Sequence, residues 1–408
     1  MTRTTNWRTT WRVFRAEMGK IWRPLPLLGT LAVLIVGSFF IVNFTYLHNG
    51  GEDVVAQSAE FGPVYDAKAQ QAVQDELDKA KAAFVADMAA STRATELGIT
   101  DYAAYEAWTD RMYSEGKDTD PTVTNYVLGL TSYRRINGLE LIQSQAGISP
   151  DALRSQLLGQ ACYDFRNADD YPCGALPATV TARIDDIISR YNQRSILQYN
   201  VVMTLQDSGK WMLLTATLCA LILTAFPLTR DRQLRMTAVQ WASRTGRGIR
   251  STQVLAIGVS AALVGLIVGT LWNVWLGAQM RPILGYGIDS AMYRDPAWFD
   301  GTILQWLVAY TLTAMLAAAA CSLITVWIVK AQPNGIRMLL ITVPLAAAMA
   351  CLINFVIGPY LYHFSNPLGG RIPIPGAEAM ALTAMLALAA ALWTVSARRI
   401  RRCELPND

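Results

Sequence analysis

Histidine is almost absent from this chain: His48 and His363 are the two in 408 residues. With no H-E-x-x-H, a metal site or an acid–base pair built on imidazole has no candidate residues. The phosphate-cradling G-x-x-x-x-G-K-[ST] loop is missing as well. Gly19-Lys20, Gly116-Lys117 and Gly209-Lys210 each lack the upstream glycine of that loop. No G-x-S-x-G elbow occurs. The six cysteines form no paired pattern at metal-binding spacing. The carboxylates are many, but none stand out as a catalytic pair, and solvated faces explain them better. No catalytic residue and no metal ligand is therefore assigned, and the chain is not read as an enzyme.

Charge is missing in a more patterned way. Six apolar stretches are each near the roughly 20 residues that a helix needs to cross a ~30 Å hydrocarbon core. They cover about residues 24–47, 211–228, 254–275, 303–329, 338–360 and 377–396, and Glu378, at the edge of the last, is the one Asp, Glu, Lys or Arg in them. Backbone buried in lipid must pair within its own segment, so all six are predicted to be helices. The first is not read as a cleaved signal peptide, because its apolar core exceeds the usual ~7–15 residues and no small-x-small site follows. Trp22, Trp211, Trp275, Trp298 and Trp327 lie near predicted span ends, where an aromatic belt is expected. Asn43, Asn273 and Asn354 are the main polar residues at depth and are read as interhelical hydrogen bonds. Gly265-x-x-x-Gly269 would let two helices approach closely. The spans lack the ionisable groups of a proton relay.

The charges between the stretches alternate in sign. Residues 1–24 carry Arg3, Arg8, Arg12, Arg15, Lys20 and Arg23 against Glu17. The loop after the second stretch carries Arg230, Arg232, Arg235, Arg244, Arg247 and Arg250 against Asp231. Lys330 and Arg337 flank the next turn on that side, and the tail has Arg398, Arg399, Arg401 and Arg402. Residues 48–208, by contrast, hold 13 basic and 23 acidic side chains. Lys and Arg mark the cytoplasmic loops. The predicted fold class is thus mainly α: a polytopic cell-membrane protein with six transmembrane helices and both termini cytoplasmic. A large helical extracytoplasmic domain lies between helices one and two. The net charge of +4 hides two opposed surfaces, and no nucleic-acid partner is needed to explain it.

Four regions follow: an interfacial helix over 1–23, the first span over 24–47, the extracytoplasmic domain over 48–208, and a five-helix region over 209–408 with a patterned loop at 229–252. In the domain, Ala72, Val73, Leu77, Ala80, Phe84, Val85 and Met88 recur at helical spacing. A helix over 101–113 opens after Thr100, and Ser149-Pro150-Asp151 is another helix start. A last helix begins after Pro177 and is expected to run through Ile184, Ile188 and Ile196 towards the second span, with Gly209 weakening the join. Cys162 and Cys173 are the two cysteines outside the membrane and the cytoplasm. An oxidising surface favours a disulfide between them, worth about 3 kcal/mol by loop closure; two separate buried thiols are the alternative. Cys219, Cys321 and Cys351 are read as small apolar fillers, and Cys403 as cytoplasmic.

Two cytoplasmic elements stand out. Trp7, Trp11, Phe14, Met18 and Trp22 form one stripe of an N-terminal helix, flanked by Arg8, Arg12 and Arg15. Such a helix is expected to lie in the inner lipid interface; a disordered basic arm is the alternative. After the second span, Leu234, Met236, Val239 and Trp241 supply apolar surface to a short helix between Arg232 and Trp241, and Ser243 to Gly248 break it.

An amphipathic N-terminal helix, one span, a large outside domain and five further spans resemble the permease subunit of type-2 ABC exporters. The stretch from Thr229 to Arg250 is similar to that family's segment between spans two and three. By this resemblance, Asp231 and Arg232 match its charged pair, Met236 to Trp241, with Val239 between them, its coupling helix, and Ser243, Gly246 and Arg247 its closing turn. The family often carries a second acid and a glycine early in this helix; this chain has Arg232 and Arg235 nearby. The resemblance covers the membrane half by topology and leaves out the outside domain. It implies a partner ATPase subunit that binds ATP and Mg, a second permease copy or related permease, and an amphipathic cargo: a peptide, lipid or drug. A non-transporting membrane receptor or sensor, with an extracytoplasmic ligand-binding domain, is the competing reading.

Overall fold

The computed structural model describes residues 7–48, 51–166, 173–233, 246–290, 298–329, 335–352, 374 and 376–403. Helix α1 spans Trp7–Ile21 and α2 spans Pro24–Ile41, continued by a π turn over Val42–Tyr46. Pro24 opens α2 after an extended Arg23, a first-turn position where the missing N–H is harmless. The polar segment folds as α3 Gly51–Glu60, α4 Ala67–Ala89, α5 Thr92–Glu96, α6 Tyr102–Ser114, α7 Pro121–Gly129, α8 Thr131–Ala146, α9 Pro150–Arg166 and α10 Ala178–Ser189. Four long helices follow, α11 Tyr199–Gln233, α12 Gly246–Gln279, α13 Ile303–Val329 and, after the shorter α14 Gly335–Cys351, α15 Ala377–Cys403. Among the described residues no strand forms, and two isolated bridges, Ser195 to Ser290 and Gly287 to Thr302, are the extended pairings.

Five helices are long and apolar enough to cross a bilayer: Pro24–Tyr46 and the apolar parts of α11, α12, α13 and α15. Helix α14 carries the predicted fifth span as far as its described residues go; its apolar part is Leu340–Cys351, with Pro344 inside. Residues 353–373 lie outside the described residues.

Helix α13 is the centre of the bundle, with Tyr310, Ala314, Ala317, Ala318, Ala320 and Cys321 all fully buried. Small residues let its neighbours close on it. A Cβ at Gly265 of α12 would lie 2.6 Å from the Ala314 carbonyl oxygen, and one at Gly269 would lie 3.2 Å from Thr311 Cα. Asn273 ties the same pair together, its Nδ2 donating to the Leu307 carbonyl at 2.8 Å and to Thr311 Oγ1 at 2.6 Å. Gly209 is not a weak joint, as its sequence position suggests. It sits well inside α11, and a Cβ there would fall 2.1 Å from the Tyr310 ring. Asn43, predicted to bond between helices, instead donates to Phe39 of its own helix at 2.9 Å and is exposed; Asn354 lies outside the described residues.

Helix α2 packs on α11 in antiparallel, from Gly29 beside Ile222 to Phe40 stacked on Trp211 with ring centroids 4.9 Å apart. Its other face leaves Leu25, Leu28, Leu31, Ile35, Val36 and Phe39 exposed, an apolar surface of the kind that lipid covers. Thr224 and Thr313 turn their buried hydroxyls back on the preceding turn, to Ala220 and Ala309. Cys219 and Cys321 are buried, whereas Cys351 is exposed.

The polar segment has two cores. In the first, Val73, Leu77, Phe84 and Met88 of α4 meet Ile136, Leu139 and Ile142 of α8, with Tyr102, Tyr105 and Trp108 of α6 across the end. Val85, on the predicted stripe, is exposed. Asp66, Asp101 and Asp120 cap α4, α6 and α7, accepting from Ala69, Ala104 and Thr122 N–H groups at 2.8 to 2.9 Å. Ser149 caps α9 through Ala152 N–H at 3.3 Å. The second core joins Leu153, Leu157 and Ala161 of α9 to Val180, Ile184 and Ile187 of α10. The Cys162–Cys173 disulfide fastens α9 to the chain leading into α10, with Cα atoms 5.7 Å apart.

Close contact through Gly265 yields a prediction. Backbone atoms oppose any side chain there, so Gly265→Leu must push α12 from α13 and is expected to destabilise by about 1–3 kcal/mol. Gly258→Ala meets only ordinary contact with Leu323 at 3.4 Å and is expected to be near neutral. Thermal unfolding of the detergent-purified protein compares the two; equal midpoints would refute the packing account.

Candidate functional site

The helix directions decide which segments meet. Gly258 of α12 lies beside Leu323 of α13 and Gly277 beside Leu307, so these helices are antiparallel. Trp393 and Ser396 of α15 bond to Leu323 and Trp327 of α13, so those two are parallel. The end of α11, the start of α12 and the ends of α13 and α15 therefore lie at one end of the bundle. These ends carry Arg230 and Arg232, Arg247 and Arg250, and Arg398 to Arg402. The polar helices gather at the other end, where Val54 and Val55 of α3 share a core with Ile283, Tyr286 and Ile288.

Helices α11 and α12 pack on each other, and residues 234–245 connect their basic ends. Asp231 and Arg232 belong to the last turn of α11, which continues unbroken from the apolar run to Gln233. Residues 229–233 are thus an extension of that helix and not the approach to a separate one. Gly246 and Arg247 were expected in a break; they form the first turn of α12. Arg235, Met236, Val239, Trp241 and Ser243 lie outside the described residues, in the segment that must bridge the two ends.

The predicted N-terminal stripe divides. Trp11 is half exposed, stacking on Phe14 at 5.5 Å, while Phe14, Met18 and Trp22 pack against the bundle core. Trp22 Nε1 donates to Ser260 of α12 at 3.1 Å, and the Ser260 hydroxyl lies 3.1 Å from Met18 Sδ. The second half of α1 is therefore docked on protein, and Trp11 in the first half is half exposed. Trp7 starts the helix. The tryptophans expected to form a belt are also engaged by other helices: Trp275 with Tyr46 at 5.3 Å, and Trp298 with the α9–α10 core.

At the opposite end lies a charged clasp that the sequence did not single out. The predicted continuous helix from Pro177 stops at Ser189. A 3-10 turn over Tyr191–Gln193 and an extended stretch to Gln198 follow before α11. Arg190 bridges Asp186 at 2.5 Å and Asp300, just before α13, at 2.6 Å. Arg183 holds the same Asp186 at 2.5 Å. Arg194, 5% exposed, donates to the Ser290 carbonyl and stands 3.7 Å from Asp289. Ser195 Oγ donates to the Gly287 carbonyl at 2.6 Å. These bonds to the α12–α13 connection explain the break in the helix: the chain is drawn out to meet them. Burial pushes the Asp289 carboxyl up and the Arg194 guanidinium down, their attraction offsetting only part of it. At Asp186 burial also pushes upward, but the hydrogen bonds and charges of Arg190 and Arg183 prevail and hold the carboxyl below its ordinary value. Three arginines at 183, 190 and 194 beside Asp185 and Asp186 were the one available signal; nothing in the sequence named their partners.

Among the described residues no cluster of His, Cys, Asp or Glu could hold a metal ion. No family model, curated protein or solved structure matches this chain.

The clasp gives a pH prediction. A carboxyl held below its unfolded value of ~3.9 stabilises above that pH and loses this contribution as the pH falls through the folded value. Asp186 is half exposed, so Asp186→Asn is expected to lower stability near pH 7 by no more than ~1 kcal/mol. The deficit should vanish in acid. Melting midpoints of both proteins from pH 7 down to pH 2 test this, and a deficit that persists undiminished to the acid end would contradict it.

Proposed function

We propose that this chain is the membrane-spanning permease subunit of an ATP-driven exporter of the type-2 ABC class. It has six spans, both termini in the cytoplasm of the cell and residues 48–208 outside. The observation that carries the reading is the pairing of α11 and α12. At ~1.5 Å per residue, their 35 and 34 residues give rods of roughly 50 Å, against a ~30 Å hydrocarbon core. Both outrun the membrane at the arginine-rich end, and residues 234–245 are a short bridge between them. A soluble ATPase gripping Met236, Val239 and Trp241 would act on two rods at once. ATP and Mg bind that partner, since this chain has no phosphate loop. A second permease, identical or related, completes the pathway, and the apolar span surfaces suit an amphipathic cargo. Partner closure shifts the inward–outward balance only through different affinity for the two states.

A receptor is the second reading. It is favoured by a cavity of about 250 Å³ between α3 and α8, where Asp53, Gln57, Arg134, Arg135 and Gln198 stand beside Leu139 and Ile142.

Gentle detergent purification from the source cell distinguishes them. A soluble subunit with a phosphate loop is expected to co-purify. Met236→Glu with Trp241→Glu should reduce its retention at least about tenfold, as for two anchors at an interface, while membrane insertion is unchanged. Retention of this chain alone would favour the receptor.

A further inference from the structure

A cavity of about 520 Å³ opens between α12, α13 and α15. Val254, Gly258 and Ala262 form one wall, Ala319 a second, and Leu386 and Ala390 a third. This is the size of pocket that buries an organic ligand. Ser251 and Thr394 stand at one end, and the rest of the lining is almost entirely apolar.

Its depth is informative. From Ser251 to Ala262 the axis of α12 rises about 16 Å, close to half of a ~30 Å hydrocarbon core. The cavity therefore occupies one leaflet. Deeper in the bundle, Gly265 and Gly269 close α12 onto α13. A transmembrane helix of a second copy would need a groove along the whole span. One leaflet's depth suits an acyl chain.

Its mouth is charged in one sign. Arg247 and Arg250 precede Ser251 and Val254 by one helical turn, and Arg398 follows Thr394 by one turn. Residues four apart share a helix face, so Arg398 continues the α15 wall of the cavity beyond Thr394. Arg398 is exposed. Arg399, Arg401 and Arg402 follow it, and no acid interrupts 246–253 or 397–403. Basic residues beside a gap between membrane helices attract anionic headgroups.

We infer that this cleft is a binding site for an anionic phospholipid of the leaflet at the arginine-rich end. One acyl chain lies between α12, α13 and α15, and the phosphate meets Arg398 at the mouth. The inference rests on the membrane reading and needs no transport activity.

The test uses the full chain reconstituted in nanodiscs of equal phosphatidylglycerol and phosphatidylcholine, then released for native mass spectrometry. Retained phosphatidylglycerol is expected on the wild-type protein. Ala262→Phe, which fills the cavity, should abolish retention, whereas Leu271→Phe on an exposed face should preserve it. Arg398→Ser, on a solvent-facing turn, should weaken the preference for phosphatidylglycerol about fivefold, the share of one arginine near the surface. This arm holds even if Ala262→Phe fails to fold, which a thermal scan reports. Equal retention of the two lipids by wild type would overturn the inference. So would undiminished phosphatidylglycerol on a folded Ala262→Phe protein. A lipid-free dimer that Ala262→Phe converts to monomer would give the cleft to a second copy instead, and a lipid-free monomer would give it to no lipid at all.

Discussion

Helices in lipid gain nothing by hiding apolar side chains from one another, because the surroundings are equally apolar. What holds this bundle together is close contact, and close contact requires the absence of side chains at chosen places. Gly265, Gly269 and Gly209 are those places. They bring α12 and α11 onto α13 near enough for the Tyr310 ring to lie over bare backbone and for Asn273 to reach across to Leu307. Every other relation in the membrane half is measured from that contact. The antiparallel run of α12 and α13 gathers the arginine-bearing ends, and the parallel run of α15 leaves the cleft beside them.

The polar half obeys a different rule. Water is available to it, so apolar burial drives assembly, and its helices show the usual caps and one apolar face. The two halves are joined by ion pairs and backbone bonds around Arg190 and Arg194, with Val54 and Val55 beside them. Such pairs, half exposed at Arg190 and buried at Arg194, add little net stability, but they fix where one body sits on the other. Arg194 finds no hydrogen-bond partner for Nε or Nη1 among the described residues, and the Asp289 carboxylate 3.7 Å from its Nε balances its charge.

Much of this architecture is legible in the sequence, because its signals are local. Hydropathy places the long apolar helices, alternation of charge predicts that arginine-bearing ends gather, and the cap residues at 101, 149 and 150 open helices where expected. The disulfide follows from two nearby cysteines in an acidic segment. What escaped was non-local. The break after Ser189 follows from partners about 100 residues away, at Ser290 and Asp300. Gly209 looks like a helix weakness until Tyr310 is found against it. Asn43 and Asn273 are alike as residues in apolar runs, yet one turns back on its own helix because no neighbour packs at its position. The candidate site at 229–252 was legible in its flanks alone: Asp231 and Arg232 end one rod and Gly246 and Arg247 begin the next.

The length of α11 carries a mechanical consequence. A rod of 35 residues measures about 50 Å and passes without a break from the clasp at one end of the bundle to the arginines at the other. Gly209 and Tyr310 form its closest bearing, nearer the clasp. Rotation about an off-centre pivot magnifies displacement at the longer arm, so a shift of an ångström at the clasp becomes a larger sweep at Gln233. By the same geometry a displacement imposed at the basic end would arrive smaller among the polar helices.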